Sequence, residues 1–174
     1  MTEFGDSEDP SDRIAASSEE AKSAWQATIE DMNGMAKELA EQGWTTTAIA
    51  AEDTAPNPPD SEDSDRFGFI HVIPDNRATE FTAAFDRGHG AGGGFQEYEV
   101  YRSEAADRAF QVTVLYDEPS ANVILLAGNY ELRSADPLAR AARERGEIYT
   151  HVQTLDQTVL GSFKHESWEH FFPE

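Results

Sequence analysis

The chain has no cysteine, so disulfide scaffolds, thiolate zinc sites and cysteine nucleophiles are excluded, and cysteine usage says nothing of the redox compartment. Lysine is nearly as scarce: only Lys22, Lys37 and Lys164 occur among thirteen basic residues. No apolar run reaches the length of a membrane span. The opening MTEFGDSEDPSDR places acids where a signal peptide needs a basic region, and neither an apolar core nor a twin-Arg pair follows. The expectation is a cytoplasmic protein with no membrane partner. Dense cation clusters are missing too, which argues against direct nucleic-acid binding, since phosphates need several Lys or Arg on one surface.

What is present in excess is acid: thirty-four Asp and Glu give a formal charge of -21 on 174 residues. A disordered acidic tail would be poor in apolar residues. Here 39% are hydrophobic, and they fall into helix and strand periods, so the chain should fold beneath a coat of carboxylates. Such a coat repels itself in dilute buffer and much less at molar salt, where the Debye length falls to about 3 Å. Depletion of Lys, with its long apolar stem, fits the same surroundings. In this composition, and in the phrases YELRSADPLARAARERG (130–146) and YTHVQTLDQTVLGSF (149–163), the chain resembles small acidic haloarchaeal proteins of unknown function. The resemblance implies a habitat of brine and carries no catalytic motif.

Residues 1–16 are polar, acidic and without apolar period, and read as a disordered, solvated arm. Residues 17–174 read as a single α+β domain. Ser17 and Glu20 have capping-box spacing, and Trp25, Ile29, Met32, Ala36 and Leu39 repeat at helical intervals until Gly43. A β-type run covers 44–51, after which AEDTAPNPPDSEDSD is rich enough in Pro and acid to read as an exposed loop. Residues 66–73, apolar on both faces, predict a core strand. Phe81, Ala84 and Phe85 mark a second helix ending at Gly88, and a glycine loop follows. Alternation over 95–102 and 108–116 predicts a hairpin, and 123–132 is a second strand apolar on both faces. Asp136-Pro137 predicts the start of a helix that stops at Gly146. Strands over 148–154 and 158–163 then flank a turn at Asp156-Gln157. The order αββαβββαββ predicts a mostly antiparallel sheet of about six or seven strands packed against two or three helices. Two ββαβ units, 44–102 and 108–154, can be drawn in it, which leaves an internal duplication open.

Five histidines lie among these carboxylates, and neutral imidazole suits zinc or iron. In the terminal HESWEHFF, a helix would set Glu166 beside His170 and His165 beside Glu169. Those four are the metal candidates, although the spacing matches neither H-E-x-x-H nor H-x-x-E-H, and Trp168, Phe171 and Phe172 suit packing on the sheet. His71 shares a strand face with Phe67, Phe69 and Ile73, where burial would lower its pKa; beside a carboxylate, a neutral His can act as a general base. His151 lies on the face of Tyr149, opposite Ile148, Thr150 and Val152. His71 and His151 are the catalytic candidates, each weighed against a core histidine held by one hydrogen bond. Tyr98, Tyr101, Tyr116, Tyr130 and Tyr149 could line a pocket on a curved sheet. GHGAGGG (88–94) contains G-x-G-x-x-G, but with the helix before it and the strand after, the reverse of the dinucleotide fingerprint. No G-x-S-x-G accompanies His89-Gly90 as an oxyanion loop. His89, Gly90, Gly92 and Gly93 are therefore ligand candidates set against a mobile connecting loop.

No cofactor is expected, because no cofactor motif is complete. Arg140, Arg143 and Arg145 on the third helix suit either a solvated face or docking onto an acidic partner; a continuous exposed surface of Ala and Leu138 would favour docking. The resulting expectation is a non-enzymatic binding or protein-interaction module whose partner is a protein or a small molecule. The alternative is a small metal-dependent or acid–base enzyme with a His-lined pocket. Convergence of His71, His151 and His165 on one cavity would favour the enzyme. Two free sheet edges would allow a homodimer.

Overall fold

The computed structural model of the protein describes residues 10–59 and 67–172. Helix α1 (Pro10–Glu41) starts well ahead of Ser17. Residues 10–16 are thus helical rather than without secondary structure, and Ser17 lies inside the helix instead of capping it; residues 1–9 lie outside the described residues. The early turns of α1 were hidden from an apolar-period reading because residues 13–20 are all exposed and need no apolar stripe. The period begins where the helix meets the sheet, with Met32 at 2% exposure, and the helix ends as Trp44 N donates to Leu39 O at 3.0 Å.

Eight strands follow among the described residues: β1 (Thr45–Ala50), β2 (Asp53–Asn57), β3 (Gly68–Val72), β4 (Glu97–Ala105), β5 (Arg108–Asp117), β6 (Asn122–Glu131), β7 (Ile148–Gln153) and β8 (Val159–His165). Helix α2 (Ala78–Arg87) joins β3 to β4, and helix α3 (Asp136–Arg145) joins β6 to β7. The order is αβββαβββαββ, so the fold is α+β, but the single, mostly antiparallel sheet is corrected to two mixed four-stranded sheets, β1-β6-β5-β4 and β2-β3-β7-β8. The additional strand is β2, which the Pro- and acid-rich composition of 51–65 conceals. Pro56 has no N–H to give a ladder, and β2 sits at a sheet edge, where that loss is tolerated. Pairs β1–β6 and β3–β7 are parallel and the other four antiparallel. The two ββαβ stretches are not equivalent: β5 and β6 pair side by side, while β1 and β3 lie in different sheets. No helix of the described residues is long and apolar enough to cross a membrane.

The chain steps between sheets in two residues. Ala51 N donates to Ala127 O at 2.9 Å in the first sheet, and Glu52 N donates to Val72 O at 2.7 Å in the second. Burial of β6 on both faces follows from its position. Val123, Leu125 and Ala127 pack against Met32 of α1, while Ile124 and Leu126 face the second sheet in a cluster with Phe81 and Phe85 of α2. Leu138 and Ala142 of α3 pack with Phe69, Tyr130, Ile148 and Phe171 at the other end of the same interface. Asp136 makes no side-chain cap bond and stands in the first turn of α3, where its charge complements the helix dipole rather than capping the N–H groups.

Between these two apolar clusters the strands place a polar layer. On β3 it is His71, between Phe69 and Ile73; on β5, Gln111 and Thr113, between Ala109 and Leu115; on β7, Thr150, between Ile148 and Val152. On β6 the corresponding residue is Gly128, paired with Gln111. A Cβ there would meet Thr54 Oγ1 and stand 2.8 Å from the His71 ring, so glycine is what lets the sheets close at this level. Gly128→Ala should cost about 1–3 kcal/mol, the range for overpacking a full core. A urea midpoint unchanged from the parent would show that the sheets are not in close contact here.

Candidate functional site

The polar layer contains both histidines whose proton affinity is strongly displaced. His71 is fully buried, and its Nδ1 lies 3.0 Å from Thr54 Oγ1. Burial, with the charge of His151 a smaller cause, lowers its pKa to about 4. His165 is 1% exposed, its Nε2 is 2.8 Å from Thr150 Oγ1, and the same causes in the same order lower its pKa to about 3. Both rings are therefore neutral at neutral pH. His71 Nε2, His165 Nδ1, Gln111 Nε2 and Thr113 Oγ1 have no hydrogen-bond partner among the described residues, each a destabilising feature for a buried polar atom.

His151 belongs elsewhere. It pairs with Ile70 and Ser162 and so lies on the face of its sheet opposite to His71. Its Nε2 donates to Phe67 O at 3.0 Å, which leaves Nδ1 to accept from Ser162 Oγ at 2.7 Å. Its ring stacks on Tyr149 at 5.7 Å and 8°. The three histidines thus do not share a cavity: His71 and His165 point between the sheets, and His151 points away. The tyrosines divide as well. Tyr130 is buried in the α3 cluster, Tyr101 and Tyr116 donate outside to one Glu99 carboxylate at 3.2 and 2.6 Å, and Tyr149 lies beside His151.

The terminal segment forms a 3₁₀ turn, Trp168–Phe171, in place of the α-helix that would have grouped the metal candidates. His165 is the last residue of β8 and faces inward, whereas Glu166, Glu169 and His170 are exposed. Among the described residues no group of three or more His, Cys, Asp or Glu could hold a metal ion. The aromatic residues pack as the sequence suggests: Phe171 and Phe172 lie 5.6 and 5.7 Å from the Phe69 ring. Tyr98 fastens the segment by donating to Ser167 O at 2.8 Å and accepting from Ser167 N at 3.0 Å.

The glycine loop is closed by hydrogen bonds. Gly92 N and Gly94 N both donate to His89 O at 2.9 Å, and Phe95 N donates to Asp117 Oδ1 at 3.3 Å. Phe95 is buried and stacks on Phe85 at 6.3 Å. A Cβ on Gly94 would overlap the Gly88 carbonyl oxygen, so this glycine serves a close backbone crossing. His89, Gly92 and Gly93 are exposed at the rim, with His89 in the left-handed region at φ 57°.

The feature that sequence reasoning missed lies on the surface. An open cleft of about 930 Å³ is bounded by Arg102 and Glu104 of β4, Arg133 of the 3₁₀ turn Leu132–Ala135, Asp136 and Arg143 of α3, and Trp168, Glu169 and Phe172. Arg102 Nη1 is 2.6 Å from Glu104, and the Arg143 guanidinium lies 5.9 Å from the centre of the Trp168 ring. Arg133 and Arg143 make no ion pair with any described carboxylate. A second cleft of about 760 Å³ shares Leu132 and Arg133 with the first and runs to Ile14, Ser17 and Ser18 of α1. Leu138 is fully buried, so the surface of Ala and Leu138 that would have favoured docking does not exist.

The molecule is thus an α+β protein of two mixed sheets, with a sealed polar layer inside and an arginine-lined groove outside. Residues 11–173 match the Family of unknown function (DUF7529), and the chain belongs to that family. No curated protein and no solved structure matches it.

Proposed function

We propose that this protein is a non-enzymatic binding or protein-interaction module of a halophilic, haloarchaeal cytoplasm. The observation that carries the reading is the separation of chemistry from access. The two histidines with strongly lowered proton affinity, His71 and His165, are 0% and 1% exposed and each is engaged by a threonine. A general base must come within hydrogen-bond reach of its substrate, and neither ring faces an open cleft. The open groove holds no histidine; its guanidinium groups stand beside Trp168 and Phe172 and the carboxylates of Glu104, Asp136 and Glu169, a surface suited to holding a partner. A broad hydrolase screen of the purified protein should find no turnover that depends on His71; activity lost in a folded His71→Ala variant would overturn the reading.

The halophilic part rests on the coat. Among the described residues only three Arg or Lys side chains pair with carboxylates, against a formal charge of -21 on the whole chain. Most of the repulsion is therefore left for the solvent to screen. The urea midpoint should rise from dilute buffer to about 1 M KCl, and equal stability in both would remove the salt adaptation from the proposal.

A further inference from the structure

We infer that the groove between β4, α3 and the C-terminal segment receives an extended acidic segment of a partner protein, with carboxylates on Arg133 and Arg143 and an apolar side chain against Trp168 and Phe172. The inference rests on the binding-module reading and names the partner that reading leaves open. Its first support is the availability of two cations. Arg133 and Arg143 line the same groove, are exposed and have no ion pair among the described residues. Arg143 lies 5.9 Å from the centre of the Trp168 ring, a cation–π contact beside which its guanidinium can meet a bidentate carboxylate. The second support is shape. Two clefts of about 930 and 760 Å³ meet at Leu132 and Arg133, which gives a run suited to a strand of peptide rather than to one compact ligand. Ile14, 68% exposed on α1, lies at its far end.

The groove's own acids set the pattern of the partner. Glu104 is paired to Arg102, whereas Asp136 and Glu169 also line the first cleft, and Asp107 and Glu131 the second. A continuous run of acids would be repelled by these groups. The segment that fits carries separated Asp or Glu residues with Leu, Phe or Trp between them.

The test is selection of a phage-displayed library of random linear peptides on the full chain in about 1 M KCl, where long-range attraction is screened and close carboxylate–guanidinium contacts persist. Selected sequences should show spaced acids flanking apolar residues. A synthetic copy of the leading peptide should bind at least about tenfold more weakly to an Arg133→Ala, Arg143→Ala variant, since each charge-assisted hydrogen bond lost is of that order. Arg140→Ala, on the same helix but outside the groove, should leave affinity unchanged. Both arginines are exposed, and an unchanged thermal melt of the double variant confirms that it folds. Selected peptides without acids, or affinity within about twofold in the double variant, would overturn the groove assignment while leaving the module reading intact. Succinate binding as tightly as the peptide and displacing it would also overturn it, in favour of a small-anion site. Turnover dependent on His71 would instead strike the module reading itself.

Discussion

Lowering the pH from 7 to 5 is expected to remove about 4 kcal/mol of folding stability through two histidines. Both have folded-state pKa values, about 4 for His71 and about 3 for His165, below the ordinary 6.5. The unfolded chain therefore binds more protons than the folded one wherever the pH lies below 6.5. Stability is insensitive to these groups above that point, falls by about 1.4 kcal/mol per pH unit for each ring as the pH drops, and levels off only below the folded values. At pH 5 each ring contributes about 2 kcal/mol of the loss, together a large part of the 5–15 kcal/mol typical of a domain. Protonating the carboxylate coat relieves repulsion and acts in the opposite sense. The decisive quantity is therefore the difference between the parent and a His71→Gln, His165→Gln variant. The parent's urea midpoint should fall relative to the variant's between pH 6.5 and 4.5, and parallel profiles would show that the rings are not held neutral.

Phe69→Ala is expected to destabilise by about 3–5 kcal/mol, the range for an aromatic side chain removed from a core. Phe69 is fully buried in β3, with ring centroids of Tyr130, Phe171 and Phe172 at 5.2, 5.6 and 5.7 Å. It is the point where the second sheet, β6 of the first and the C-terminal segment meet. A cavity at that junction cannot collapse without moving three elements, so little of the loss should be recovered by relaxation. Phe69→Leu, which keeps much of the volume, should cost less than half as much. A measured loss for Phe69→Ala below about 1.5 kcal/mol would mean that the C-terminal aromatics do not depend on this ring.

The elements were legible wherever an apolar pattern sets a strand or helix apart from its flanking turns. The runs 123–132 and 66–73 read as two-faced strands, and both faces of β6 and of β3 are covered; the hairpin of β4 and β5 read from its period of two. What covers a strand is not written in that period. A strand between α1 and a second sheet has the same apolar pattern as one at the centre of a single sheet, and the parallel pairings of β1 with β6 and β3 with β7 join residues distant in sequence. In the site, the burial of His71 followed from Phe67, Phe69 and Ile73. The inward position of His165 did not, because HESWEHFF was read at helical spacing; Gly161, Phe163 and His165 recur at period two and carried the signal. The meeting of Arg102, Arg133 and Arg143 with Trp168 depends on four separate elements and had no local trace.

The crossing at Ala51 and Glu52 gives the molecule a shared selvedge. One unbroken length of backbone serves as the outer border of both β-layers, so tension applied to either layer is passed directly to the other. Unravelling that starts along this border must therefore draw on the whole scaffold at once, and partial opening is confined to the opposite margins, β4 and β8.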